Sequence, residues 1–506
     1  MEENNKRILK NTIYLYMRMF IMMALSFFST RIVLDKLGVD DYGIYNVVGG
    51  FVAMFTILNN VLQSATRRFL SVAIGKGEQK LIDSTFSTSL TMHLVIGGVV
   101  VVLLETLGVW LLNNTLNIAT DRMYAANWVL QFSIINVFLA ILQTPFQAAV
   151  TSHEKFNVYA IMSIFDVMAK IAILFLLVLL PFDKLIVYAI LLSCVNVLSN
   201  TIYLIFCRKN FHECKMSLVV DKSLMYEMLK FSGWDSLGNI SSILNAQGVT
   251  ILLNLFFTTA VNAARGLATT VTTTIANFVT GFITAAEPQL AKYYVNKEAE
   301  RFNNLIFNIS RMTLFMLAVI AVPVFMEMDY VLRLWLNEVP DYTSAFIKIT
   351  IIGTFVQYSN SMVLKGIVAI GKVKQITTLT TPLYFIHIPL VYIVLKLGWS
   401  PVSAYWVSII PSCLGFLMNL HILHNHAGFP SRKYFFEVFV KNVALILCAC
   451  IPPYFVQIFF ESSFSRFILV CSVSILSTIT ILWFLALNKE VRQMVLSKVF
   501  TKKSYS

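Results

Sequence analysis

From residue 11 to residue 487, apolar runs long enough to cross a lipid bilayer follow one another with only short polar breaks between them. A helix rises 1.5 Å per residue, so about 20 mostly apolar residues cover a hydrocarbon core of roughly 30 Å. Cut to that length, the runs predict about fourteen membrane-spanning helices. They lie at 11–34, 42–64, 84–112, 123–149, 158–180 and 182–207, then at 232–258, 262–286, 303–328, 342–364, 374–396, 402–424, 438–460 and 464–487. The break between the fifth and sixth rests on Pro181-Phe182-Asp183-Lys184, a short turn with a helix breaker. Charged residues fill only 13% of the 506 positions, against about 25% in a soluble domain. That is too few to clothe a water-facing surface, and the chain reads as an all-α polytopic membrane protein.

The formal charge of +13 does not point to nucleic acid, because Lys and Arg collect in cytoplasmic loops of membrane proteins. With the N-terminus in the cytoplasm and each span switching sides, cytoplasmic segments hold 27 Lys or Arg and external segments hold 6. Ten acids lie on the external side, among them Asp35, Asp40, Asp41, Glu327, Asp329, Glu338 and Asp341. This bias predicts that both termini are cytoplasmic. The leader Met1 to Lys10 runs into an apolar segment broken by Arg18, without a small-residue cleavage site, so the first helix is expected to remain as a span.

No loop is long, the largest running from about Arg208 to Phe231. Without a water-facing domain there is no home for a Ser-His-Asp or paired-carboxylate site, and no Walker-type glycine loop is present. We therefore expect no catalytic residues and no cofactor. The seven cysteines, Cys194, Cys207, Cys214, Cys413, Cys448, Cys450 and Cys471, lack paired zinc spacing and read as small buried residues. His421, His424 and His426 have no carboxylate or Cys to complete a metal site and read as an interfacial cluster.

A faint repeat at an offset of about 220 residues relates the two halves. Leu9-Lys10 and Leu229-Lys230 open the first and seventh spans; Gly43 and Gly266 stand near the starts of the second and eighth; Arg67-Arg68 and Lys292 follow them. Two six-helix bundles plus two C-terminal helices fit this pattern. The expected organisation is a first lobe at 1–207, a connector at 208–231, a second lobe at 232–424, and two additional spans with a tail at 425–506.

Leu37-Gly38-Val39-Asp40-Asp41-Tyr42-Gly43-Ile44-Tyr45 leads into a helix ending Ala65-Thr66-Arg67-Arg68-Phe69. This resembles the opening of the Wzx-type polysaccharide-biosynthesis flippases, within the multidrug/oligosaccharidyl-lipid/polysaccharide exporter superfamily. Ala263-Ala264-Arg265-Gly266-Leu267-Ala268 and Glu287-Pro288-Gln289-Leu290 look like corresponding segments of that family. The resemblance covers the first two spans and spans seven and eight. It implies two lobes in a V, a cavity open to one side at a time, and a polyprenyl-diphosphate-linked oligosaccharide as cargo. The implied setting is the bacterial inner membrane, in surface-polysaccharide (O-antigen or capsule) synthesis. The implied partners are the lipid-linked substrate, membrane lipids, and assembly proteins such as a polysaccharide polymerase.

Charges inside a bilayer cost several kcal/mol unless paired or hydrated, so each demands a reason. Arg18 lies about 10 Å into the first span; it either snorkels to the headgroups or faces the cargo as a bidentate cation for a diphosphate. Arg265, between Ala264 and Gly266, is a second diphosphate candidate or an interface anchor, and Arg31 is a third, with Asp35 at ion-pair spacing. Asp166 and Lys170 share that spacing and read as a structural or ion-coupling pair, while Asp235 and Glu287 are coupling candidates at helix ends. Asn46, Asn59, Gln63, Asn239, Asn245, Gln247, Thr272 and Asn277 make spans two, seven and eight unusually polar, as a cavity lining for sugars would be. The expected function is a flippase working by alternating access. A cation-coupled multidrug exporter of the same superfamily is the first alternative. A membrane-embedded polymerase or ligase is the second.

Overall fold

The structure, a computed structural model, describes residues 25–214 and 220–485, without the side chains of some residues inside helices, of which 232–240 are the longest run. Among the described residues all regular structure is helical. The helices are α1 (25–37), α2 (Val39–Lys76), α3 (Gln79–Asn114), α4 (Met123–Ser152), α5 (Phe156–Leu179), α6 (Lys184–Asn210), α7 (Lys222–Phe256) and α8 (Thr259–Val295). They continue with α9 (Ala299–Met326), the short α10 (Met328–Trp335), α11 (Thr343–Ala369), α12 (Val373–Lys396), α13 (Val402–Ala427), α14 (Ser431–Phe459) and α15 (Phe464–Leu485). Apart from α10, they follow the predicted spans one for one, with residues 11–24 of the first span lying outside the described residues. Nine of them, among the described residues, are by length and composition able to cross a membrane. The turn at Pro181–Asp183 separates α5 from α6 as predicted, and α7 begins inside the expected connector.

Local chemistry fixes these ends. Asp183 and Asp221 cap α6 and α7, each carboxylate accepting from two backbone N–H groups of the first turn. Gly77 and Gly428 end α2 and α13 in the left-handed conformation that a Cβ disfavours. Prolines lie inside α4, α9, α12, α13 and α14, which packed membrane helices tolerate. Outward faces carry large apolar side chains such as Val102, Leu179, Leu447 and Phe459, a surface suited to lipid rather than water. The cysteines depart from expectation: Cys207 and Cys214 are buried, but Cys194 and Cys448 are exposed on helix faces, where lipid is an equally good solvent for a thiol.

The chain divides into two compact units, Met1–Leu267 and Ala268–Ser506, with the division inside α8. In the first, α2 packs on α3, α4 and α7, and α4 also packs on α3 and α6. Arg122, just before α4, grips Asp41 of α2 with Nε and Nη2 (2.8 and 2.6 Å) and Asp183 with Nη1 (2.6 Å). One guanidinium thereby ties three helix starts together, the planar fork serving two carboxylates.

In the second unit α9 is central, packing on α11, α14 and α15. Two long-range ion pairs fasten the last two helices to it. Arg311, only 6% exposed within α9, meets Glu437 of α14 at 2.9 Å. Glu327, 2% exposed at the end of α9, meets Arg466 of α15 at 3.0 Å and accepts from Gln457 of α14 at 3.2 Å. Tyr434 sits among Phe307, Phe416 and Phe429, and its hydroxyl donates to the Ser359 carbonyl at 2.7 Å. Lys348 of α11 holds Asp329 of α10 at 2.7 Å. Burial opposes ionisation of that carboxyl, but the Lys348 bond and charge, with Arg333 nearby, outweigh it and keep it below the usual carboxylate range. A π turn interrupts α3 at Leu104–Gly108 and α14 at Phe435–Val440.

Candidate functional site

In the first unit, polar residues of α2, α7 and the first turns of α8 come together around Arg265. Its Nε donates to the Thr250 hydroxyl at 2.8 Å and its Nη2 to the Ala246 carbonyl at 2.7 Å, both on α7. Asn262, one turn earlier on the same face of α8, donates to the Thr250 carbonyl at 2.9 Å. The cation is thus aimed by its neighbouring helix rather than left to choose a rotamer.

Glycines let α2 close on this pair. A Cβ at Gly266 would stand 2.5 Å from the Asn46 amide oxygen, and one at Gly50 would stand 2.8 Å from that of Gln247. At Gly43 it would meet the Thr259 carbonyl oxygen at 2.0 Å. Small residues at such crossings bring polar side chains of neighbouring membrane helices within reach of one another. Asn46, Gln247, Thr250, Asn262 and Arg265 form the resulting cluster, of which sequence reasoning named Asn46, Gln247 and Arg265.

The other predicted residues are dispersed. Asn59 accepts from Thr144 of α4 at 2.9 Å, and Gln63 is half-buried farther along α2. Asn245 is half-buried on α7. Arg31 is exposed near the end of α1, where Asp35 pairs with Lys36 at 2.9 Å. Asp166 and Lys170 form the i,i+4 pair that their spacing predicts, at 2.7 Å, and Ser199 of α6 donates to the same carboxylate at 3.2 Å. In the second unit Thr272 bonds back to the Ala268 carbonyl of its own helix, Asn277 is exposed, and Glu287 pairs with Lys365 of α11. Arg18 and the side chains of Asp235 and Asn239 lie outside the described residues. The His cluster is engaged locally: His421 meets Asn425, and the Nδ1 of His424 meets the Phe429 carbonyl at 2.8 Å.

Sequence reasoning missed Arg311, although it breaks an apolar run as Arg18 does. Its partner is 126 residues away, beyond any local spacing rule.

A model of the polysaccharide biosynthesis protein family matches residues 8–294, more than half of the chain. The chain belongs to the polysaccharide biosynthesis protein family. Membership agrees with the resemblance carried by the motifs around Gly43 and Gly266. Among solved structures, the lipid II flippase MurJ in an inward-closed conformation matches with a TM-score of 0.71 at 13% identity, over 97% of this chain and all of that one. An inward-facing multidrug resistance transporter of the MATE family, in the MOP superfamily, matches with a TM-score of 0.69 at 13% identity, over 84% and 99%. A MOP superfamily transporter from Pyrococcus furiosus matches at 0.58 and 14%, over 82% and 96%. No curated protein sequence matches the chain. At these identities the structural likeness speaks for the fold, which is the polytopic fold these transporters share.

Proposed function

We propose that this family member is a flippase carrying a polyprenyl-diphosphate-linked oligosaccharide from the cytoplasmic to the outer leaflet of a bacterial inner membrane, for O-antigen or capsule synthesis. The observation that carries the reading is Arg265. It is a cation held in place by α7 among amides and hydroxyls, in a chain that belongs to the polysaccharide biosynthesis protein family. A diphosphate is best met by a planar, always-charged fork, and neutral amides around it suit sugar hydroxyls. Arg18 and Arg31 are further anion contacts in this proposal. The site would face one side of the membrane at a time, with the polyprenyl tail left in lipid. Asp235 and Glu287 are the candidates for a coupling ion.

The test uses liposomes holding a fluorescent polyprenyl-diphosphate oligosaccharide in both leaflets and a reagent outside that reports how fast the inner pool becomes accessible. Wild type should exceed empty liposomes. Arg265→Ala should slow movement about ten- to hundredfold, the worth of one charged hydrogen-bonding group, with Arg265→Lys in between and Arg18→Ala also slowed. No movement with any of several glycans under an imposed ion gradient would reject the flippase. Cation-driven efflux of a cationic dye would then favour the drug-exporter alternative, which the likeness to a multidrug transporter fold keeps in view.

A further inference from the structure

A polar pocket of about 270 Å³ lies between α4, α5 and α6, away from the Arg265 cluster. Gln143 and Gln147 line it from α4, Asp166 and Lys170 from α5, and Asn196 and Asn200 from α6. Asp166 is ten residues into α5, about 15 Å along a helix of about 36 Å, so the pocket reaches mid-membrane depth. The carboxylate and ammonium keep 27% and 39% of their side-chain surface open. A charge pair open to hydrocarbon at that depth is costly, so the opening meets water or a polar ligand.

The chemistry of the walls selects among ligands. Lys170 and Asp166 neutralise each other at 2.7 Å, and Ser199 supports the carboxylate. The two charges together attract and repel any entering ion in near balance, so a neutral polar molecule gains over either an anion or a cation. The four amides present donors and acceptors side by side, the pattern that hydroxyls, which donate and accept at once, can satisfy. Phe165, 37% exposed, adds aromatic surface to the lining, on which the C–H face of a sugar ring can rest.

We propose that this pocket is a subsite for a single neutral sugar ring. The proposal rests on the flippase reading only for its choice of the cargo's glycan as the source of that ring.

Full-length protein in nanodiscs is examined by saturation-transfer NMR against methyl glycosides of hexoses, 6-deoxyhexoses and N-acetylhexosamines, with sodium chloride, potassium chloride and inorganic pyrophosphate as competitors. At least one neutral glycoside should bind, about tenfold or more weaker in Asn200→Ala and Gln147→Ala, and none of the ions should displace it. Lys170→Met, which unbalances the pocket, should weaken the glycoside and admit cations. Melting curves confirm that each variant is folded; should Asn200→Ala fail, Gln147→Trp, which fills the pocket from α4, replaces it. No glycoside binding to wild type, equal binding in the folded variants, or displacement by sodium, potassium or pyrophosphate overturns the proposal. Liposome transport by the same preparation separates the two ideas. Transport without glycoside binding removes the subsite alone, and binding without transport removes the flippase reading alone.

Discussion

Gly43 shows how little one residue can be varied when two membrane helices meet backbone to backbone. A methyl group there would overlap the Thr259 carbonyl, which cannot rotate away as a side chain could, whereas the Cβ position at Gly49, about one and two-thirds turns on, meets nothing within 4 Å. Gly43→Ala should therefore destabilise by about 1–3 kcal/mol, the usual range for overpacking, while Gly49→Ala should be near neutral or slightly stabilising. Thermal melting of the detergent-solubilised variants decides it. Equal melting temperatures would mean that α2 does not approach the start of α8 as closely as described.

At the level of the helix, the two C-terminal helices are held by charge as well as by apolar packing. Removing Arg466 leaves Glu327 buried without its cation, and breaking a buried pair from one side costs about 3 kcal/mol or more. Arg466→Ala should lower the melting temperature sharply, and Glu327→Gln combined with Arg466→Met should recover most of the loss. If the double variant is as unstable as the single, the pair does not fasten α15. This is also where the sequence stopped being legible. Spans could be read because an apolar run of sufficient length is a local property, and the Asp166–Lys170 pair because its partners are one turn apart. The pairs Arg122–Asp41, Arg311–Glu437 and Arg466–Glu327 join residues 81, 126 and 139 positions apart, and nothing in either residue's own surroundings names the other. The Arg265 cluster was legible in part: Asn46 and Gln247 stand out as amides in apolar runs, but Asn262 and Thr250 join Arg265 only through the packing of α7 against α8, which no local pattern encodes.

For the molecule as a whole, the 27-to-6 partition of basic residues implies a definite orientation. A cysteine placed at Lys297 should react with a membrane-impermeant maleimide only after cells are opened, and one placed at Glu338 should react in intact spheroplasts. The reverse pattern would invert the topology and, with it, the direction assigned to transport. The π turns at Leu104–Gly108 and Phe435–Val440 bear on how the full chain is compared with relatives this remote. A π turn bonds i to i+5 and so holds one residue more than the α turn it replaces. It absorbs that residue without rotating the helix on either side of it. These are two places where the chain length can change by one while every lipid-facing and protein-facing position keeps its direction. Deleting one residue from Phe435–Val440 should leave a protein that still inserts and folds, whereas deleting one from Ala444–Ile446, in regular helix, turns the remainder of α14 by about 100° and takes it off α15. An alignment of the family written to follow helix phase would place its single-residue gaps inside those two turns.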